Sequence, residues 1–541
     1  MGVIYGHGLA LRTLRCWALL IGALGAVAPA CGQSEPLARR EPPVGEAGQG
    51  GEAGASSEAS GGAEAVAGAS SDAGAAGEAE QNLRFTVREL SVIQTVEVPL
   101  IVDAEAVPLD QRSAPLVAGK RALFRAQVEL APGFASRTLL GVLELDSGDR
   151  SQAFVSERIV SVSSDKEQLA TSFVFHVGPS DFRPDSRYRL RILERDTSPL
   201  LALPESGFLE LGAQALEPFQ LVLLPVTANG FAPQLGEKEL TALRARFTTL
   251  FPSSEVEVSI GEGFAIDYPF NAEGDGWEEA LDDLLKHRQD VKPARNVFFY
   301  GVLAPAESYG SYCSGSCILG LSNVTRPSDV YARGSIGVAV FPDGTGAKGA
   351  WDTLLHELGH ALGREHADCG NPDGPDRSYP YENASMGDVY GYDFSLMKLI
   401  KPRPYRDLMS YCSPTWISDY TYSGVFERLT SIDAEAFRTL SLAPVEALRV
   451  ARVDRHGRVG WRGERREAFI SEGLQSFALL DRAGRRVGSV TGRVSRLDHL
   501  PGASVWFRPR ELNVAGAAAV DLSGLTGLTG SIGQSAGVLP L

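Results

Sequence analysis

The chain has 541 residues, 44% hydrophobic and 22% charged, with a formal net charge of −16. That length exceeds what one hydrophobic core organises, so two to four domains are expected. The acidic balance, with no recognisable nucleic-acid motif, argues against nucleic acid as a partner.

In residues 1–30, Arg12 and Arg15 precede the apolar run WALLIGALGAVAP, which is too short to span a bilayer comfortably and ends in small residues. This reads as an export signal. Cleavage before Cys31, in APACGQ, would resemble a bacterial lipoprotein site and put a lipid anchor on Cys31, giving a surface or outer-membrane lipoprotein. Ala28 in place of the usual leucine, and Pro29, leave ordinary signal-peptidase cleavage and free secretion as the alternative. Residues 31–82 are almost entirely Gly, Ala, Ser and Glu, a composition with no core to build, and predict a flexible tether. Its carboxylates contribute to the net charge without implying a cationic substrate.

Residues 83–220 change to short alternating runs (RFTVREL, ALFRAQVEL, TLLGVLEL, TSFVFHV, RYRLRIL), which predict a β-sandwich-like domain. Residues 221–442 alternate strand and helix patterns: FQLVLLPV, the helical GEKELTALRARFTTLF, EVEVSI, the helical GWEEALDDLLKHR and NVFFYGVL. A mixed sheet in an α/β domain follows. The run GSIGVAVF comes next, just before a third helix. Residues 443–541 return to short strands as a second β-rich module, whose many arginines suit solvated outer strand faces or, alternatively, an anionic glycan or lipid surface. The expected fold class is thus multidomain, an α/β domain between N- and C-terminal β-sandwich-like modules.

The chemistry concentrates in HELGHALGREH, residues 356–366, which holds three of the chain's eight histidines. At about 100° and 1.5 Å per residue, His356 and His360 share one helix face about 6 Å apart and can reach one ion, while Leu354, Leu355, Leu358, Ala361 and Leu362 make the opposite, apolar side. Glu357 is placed to touch a water on that ion rather than to share it. Ten residues of unbroken helix would carry His366 about 15 Å away, so the helix must end first. Gly363 can end it, because glycine adopts the left-handed conformation common after a helix C-terminus.

The pattern H-E-x-x-H-x-x-G-x-x-H resembles the metzincin zinc endopeptidases at every fixed position. The resemblance implies one catalytic Zn2+ held by His356, His360 and His366, with Glu357 as general base toward an activated water. It also implies a methionine turn, for which RDLMSYC supplies Met409, an apolar floor under the imidazoles. Tyr411, two residues later as in the astacin-like and serralysin-like branches, would reach the metal or steady the oxyanion. In metzincins the strand before the zinc helix lies at the sheet edge, which here would make Ile336, Gly337, Val338 and Ala339 a strand for substrate pairing; an interior strand is the alternative. SVIQTVEVPL and YRDLMSYCSPTWISDYTYSGVFERL are more loosely similar to secreted bacterial StcE-like mucin-cleaving metalloproteases, pointing by analogy to protein or glycoprotein substrates. Residues 83–220 contain no cysteine, so thiol-switch latency is not expected there.

Beyond Cys16 and Cys31, four cysteines remain, and four thiols allow three pairings. Cys369 follows His366 by three residues and Cys412 follows Met409 by three, so the favoured pairing ties the third-ligand loop to the methionine turn and leaves Cys313 with Cys317. A second zinc site is disfavoured by the spacing. Two non-enzymatic readings stay open: a catalytically silent metzincin-scaffold adhesin or glycoprotein-binding lipoprotein, and an envelope protein whose zinc is purely structural.

Overall fold

The computed structural model describes residues 84–195, 199–372, 374–437, 445–469, 473–500, 502–525 and 537–541. The expected export signal, Cys31 and the tether lie outside them. The described residues belong to one compact unit, Ser71–Leu541. Among the described residues, no helix is long and apolar enough to cross a membrane.

The alternating runs near the N-terminus form two antiparallel sheets. One orders Glu105–Ala106, Glu97–Val102, Phe85–Ile93, Ala122–Leu130 and Phe173–Val177; the other orders Pro199–Leu203, Arg187–Leu193, Arg137–Asp146 and Ser151–Val160. In RYRLRIL the period of two buries Tyr188, Leu190 and Ile192 and leaves the arginines on the other face. Those apolar residues share one core with Phe124 and Phe175 of the first sheet. At Gly141 the sheets come so close that a Cβ would stand 2.8 Å from the Phe173 ring and 2.9 Å from that of Phe175.

The central sheet orders Val256–Ile260, Phe219–Thr227, Val297–Leu303, Gly334–Val338 and Gly320–Ser322, the first four parallel and the last antiparallel. Helices Glu237–Leu250 and Trp277–Val291 supply crossovers and cover the sheet, which is why its strands read as near-continuous apolar runs. Two expectations change. The first strand begins at Phe219, so a boundary at 220/221 cuts through it. Ile336, Gly337 and Val338 lie inside the sheet, not at its edge, because Gly320–Ser322 folds back and pairs along them; Ala339 lies past the strand, its N–H donating to the Leu303 carbonyl at 2.9 Å.

The C-terminal module is one seven-stranded sheet, not a two-layer sandwich. Its order is Val459–Ala468, Val445–Val453, Ala503–Phe507, Arg486–Arg496, Leu474–Leu480, Ala519–Asp521 and Val538–Pro540. The sheet curls until its two end strands meet, with Trp461 Nε1 donating to the Pro540 carbonyl at 2.6 Å. Most of its arginines lie on exposed faces as expected, and two are exceptions. Arg452 is buried against Glu278 (3.2 Å) and Arg493 against Asp329 (3.3 Å), and Arg493 also stacks 5.1 Å from the ring centroids of both Tyr331 and Trp506. These contacts dock the module on the central domain.

Lys120 does the same for the N-terminal module. Its ammonium is buried, donates to the Phe251 carbonyl and lies over the Tyr422 ring. Burial pulls its pKa from 10.5 down to about 7. Between those values the unfolded chain holds the proton and the folded chain does not, so this group's contribution to stability rises with pH across that window and is least favourable below 7. Relative to wild type, Lys120→Met should therefore gain stability at pH 6, on the order of 5 kcal/mol before the lost hydrogen bond is counted, and lose much of that advantage by pH 9. Urea midpoints of both proteins at the two pH values check this; a pH-independent gap would refute it.

Candidate metal centre

The helix Ala347–Ala361 brings the chemistry together. Leu354, Leu355 and Leu358 are fully buried in the core, and Glu357 and His360 are buried too, because later parts of the chain cover the chemical face. His356 Nε2 and His360 Nε2 are 3.0 Å apart, and His360 Nε2 and His366 Nε2 are 3.1 Å apart. Two nitrogens bonded tetrahedrally to one ion at about 2.1 Å would be about 3.4 Å apart, so each of these two pairs needs to open by only tenths of an ångström to share a metal. Their other sides are fixed. His356 Nδ1 donates to the Leu408 carbonyl (2.7 Å) and His360 Nδ1 to the Arg364 carbonyl (2.6 Å), which leaves each Nε2 lone pair facing the common point. Burial, then the neighbouring imidazoles, holds both rings well below the usual histidine range, hence neutral and able to ligate. This donor set fits a divalent ion.

His366 arrives by the expected break. Gly363 sits at φ +85, its N–H donates to the His360 carbonyl (2.8 Å), and the Arg364 N–H reaches back to Gly359 (2.9 Å), a Schellman ending. A Cβ on Gly363 would stand 2.8 Å from the Thr325 carbonyl. Met409 is buried beneath the helix, so close to Gly359 that any side chain there would strike its sulfur. The ligand loop and this turn are joined three ways: Ala367 N–H to the Met409 carbonyl (2.9 Å), Tyr411 N–H to the Cys369 carbonyl (3.1 Å), and the disulfide Cys369–Cys412. Cys313–Cys317 is the second disulfide, at the rim of the cleft. Tyr411 is 42% exposed, its ring 4.9 Å from that of His366 and 6.2 Å from that of His356.

Burial pushes the Glu357 carboxyl up to about 8. It lies beside the ligands under Gly320, where a Cβ would collide with it, so the edge strand's glycine makes room for the acid. A cleft of about 670 Å³ opens along this strand, lined by Gly320, His356, Glu357 and Tyr411.

Four contributors are absent from the sequence expectations. Asp407 is buried and accepts the Met409 and Ser418 N–H groups, both at 2.8 Å, shaping the methionine turn. Gly320 is the second. Asp498 and His499 come from the C-terminal module: Asp498 Oδ2 lies 3.2 Å from His360 Nε2, and His499 Nε2 lies 2.9 Å from Glu357 Oε1. The sequence marks His499 only as one more histidine in RLDHLPG; its position depends on how the module docks. Ile336 to Val338 contribute no free edge, and the strand at that edge of the sheet is Gly320–Ser322.

Residues 321–413 match the family model Peptidase M66, a segment that holds all three histidines, Glu357 and Met409. That match marks a metalloprotease. The segment is well under half of the chain. No curated protein matches. Among solved structures, the chain is similar to a calcium-binding mutant of Bacteroides uniformis beta-glucuronidase 2 (9% identity, 40% of this chain and 28% of that one, TM-score 0.15). It is also similar to metalloproteinase-II from Bacteroides fragilis (13% identity, 62% and 87%, TM-score 0.21). At those TM-scores neither likeness bears on fold or function.

Proposed function

We propose that this metalloprotease is a zinc-dependent endopeptidase of metzincin type. The observation that carries the reading is the convergence of three imidazole nitrogens at 3.0 and 3.1 Å with a buried glutamate alongside. The glycine-broken helix and the methionine beneath it support the metzincin assignment.

His356, His360 and His366 would hold a zinc ion, which would supply the Lewis acidity that turns a water molecule into a nucleophile. Glu357 takes the proton from that water and hands it to the leaving amine. Its burial keeps the transferred proton out of bulk water between the two halves of the transfer. Tyr411, at the cleft wall, hydrogen-bonds the oxyanion in this reading. The edge Gly320–Ser322 replaces Ile336–Ala339 as the strand along which an extended substrate would pair. Substrates are extracellular proteins or glycoproteins, reached after export and, with Cys31 lipidated, from a membrane surface.

Incubation of the purified chain with a proteome-derived peptide library and a mucin panel tests this. Cleavage that stops with a chelator and returns with zinc is expected; an intact library and intact mucins in the presence of zinc would favour the adhesin reading instead.

A further inference from the structure

Four histidines, not three, surround the metal point. The ring of His499 lies 5.1, 5.7 and 5.0 Å from those of His356, His360 and His366, spacings much like the 4.7, 5.4 and 4.5 Å among those three. One ligand nitrogen from each of the four lies within 4.8 Å of all the others. We propose that Leu497–Leu500 is a built-in closure of the metal centre: His499 offers the ion a fourth nitrogen where a catalytic site leaves room for water, and the segment before it occupies the substrate's strand edge. This rests on the endopeptidase reading and assigns that site its regulation.

The edge is taken in the way an extended substrate would take it. Leu497 bridges antiparallel to Asn323, the Asp498 N–H donates to the Ser322 carbonyl (3.2 Å), and the Ser322 N–H donates to Asp498 Oδ1 (2.8 Å). The histidine that follows engages both residues assigned to catalysis, Glu357 through Nε2 at 2.9 Å and the Tyr411 hydroxyl through Nδ1 at 2.5 Å, so Nε2 becomes a metal ligand by exchanging Glu357 for the ion. His499 sits at φ +33, a conformation that a non-glycine residue holds only when its surroundings enforce it. The enforcement comes from the docked module, whose buried Arg452–Glu278 and Arg493–Asp329 pairs keep the segment in register with the cleft. Metal sites with four protein ligands are structural, and those with three are catalytic. The resting chain is therefore closed, and cleavage requires residues 497–500 to swing out while the module stays docked.

The test uses the full-length zinc-loaded chain as wild type, His499→Ala and the less disruptive His499→Gln. Zinc release to a chromophoric chelator and turnover of a short peptide are measured on each. Both variants should release zinc at least about tenfold faster and turn over peptide at least about tenfold faster, as expected when an inner ligand is removed. Unchanged release, or faster release with turnover that falls, overturns the closure; the second result would make His499 a helper in catalysis. Should no form cleave any peptide, the endopeptidase reading fails, and the ratio of release rates alone decides whether His499 holds the metal.

Discussion

Glu357→Gln is expected to fold, to keep its zinc and to lose peptide cleavage by on the order of 10³-fold or more. Glutamine has the same shape, so it fits the space that Gly320 leaves and can still meet His499 Nε2. The metal stays because its three nitrogens are untouched. What disappears is a group able to accept a proton from water and return it to the amine; Asp498 is also buried beside the ligands, its Oδ2 3.2 Å from His360 Nε2, but unlike Glu357 it does not line the cleft. Asp498 Oδ1 also accepts the Ser322 N–H at 2.8 Å. The check is kcat/KM on one peptide, with zinc content measured on the same samples; turnover equal to wild type would remove Glu357 from the mechanism.

Gly363→Val should weaken zinc binding by about 100-fold, close to 2.7 kcal/mol, although residue 363 touches no metal. At φ +85 a β-branched residue is strained, and its Cβ would press on the Thr325 carbonyl. That neighbour cannot simply move aside: Thr325 N–H donates to the His360 carbonyl (3.1 Å) and its hydroxyl to the Ala361 carbonyl (2.6 Å), closing the helix end. Relief must come from the turn, which carries His366. Gly148→Val provides the control, with φ +80 and nothing within 4 Å of its missing Cβ. Competition titrations against a chelator should show the zinc loss in the first variant alone; equal affinities in both would mean that the third ligand does not depend on the helix break.

What was legible in the sequence is what short-range geometry determines. The helix period, the glycine at its end and the return of His366 involve eleven consecutive residues. The alternation of RYRLRIL and the apolar run FQLVLLPV report one-sided and two-sided burial directly. The cysteine pairing was legible because Cys369 and Cys412 flank segments already expected to meet. Contacts set by module docking were not legible. A three-residue edge strand, Gly320–Ser322, is too short to leave a periodic signal, so the edge was assigned to its neighbour. Arg452 and Arg493 look like surface charges until Glu278 and Asp329 are brought against them. Asp498 and His499 reach the site only because a curled sheet more than a hundred residues downstream is held against the zinc helix.

The account stands on three histidines gripping one ion, and the most direct test counts metal. Native mass spectrometry of the purified chain and of His360→Ala should find one zinc per wild-type molecule and none on the variant under the same conditions. A wild-type chain that takes up no zinc, or a variant that keeps it as firmly, would contradict the metal centre and the chemistry assigned to it.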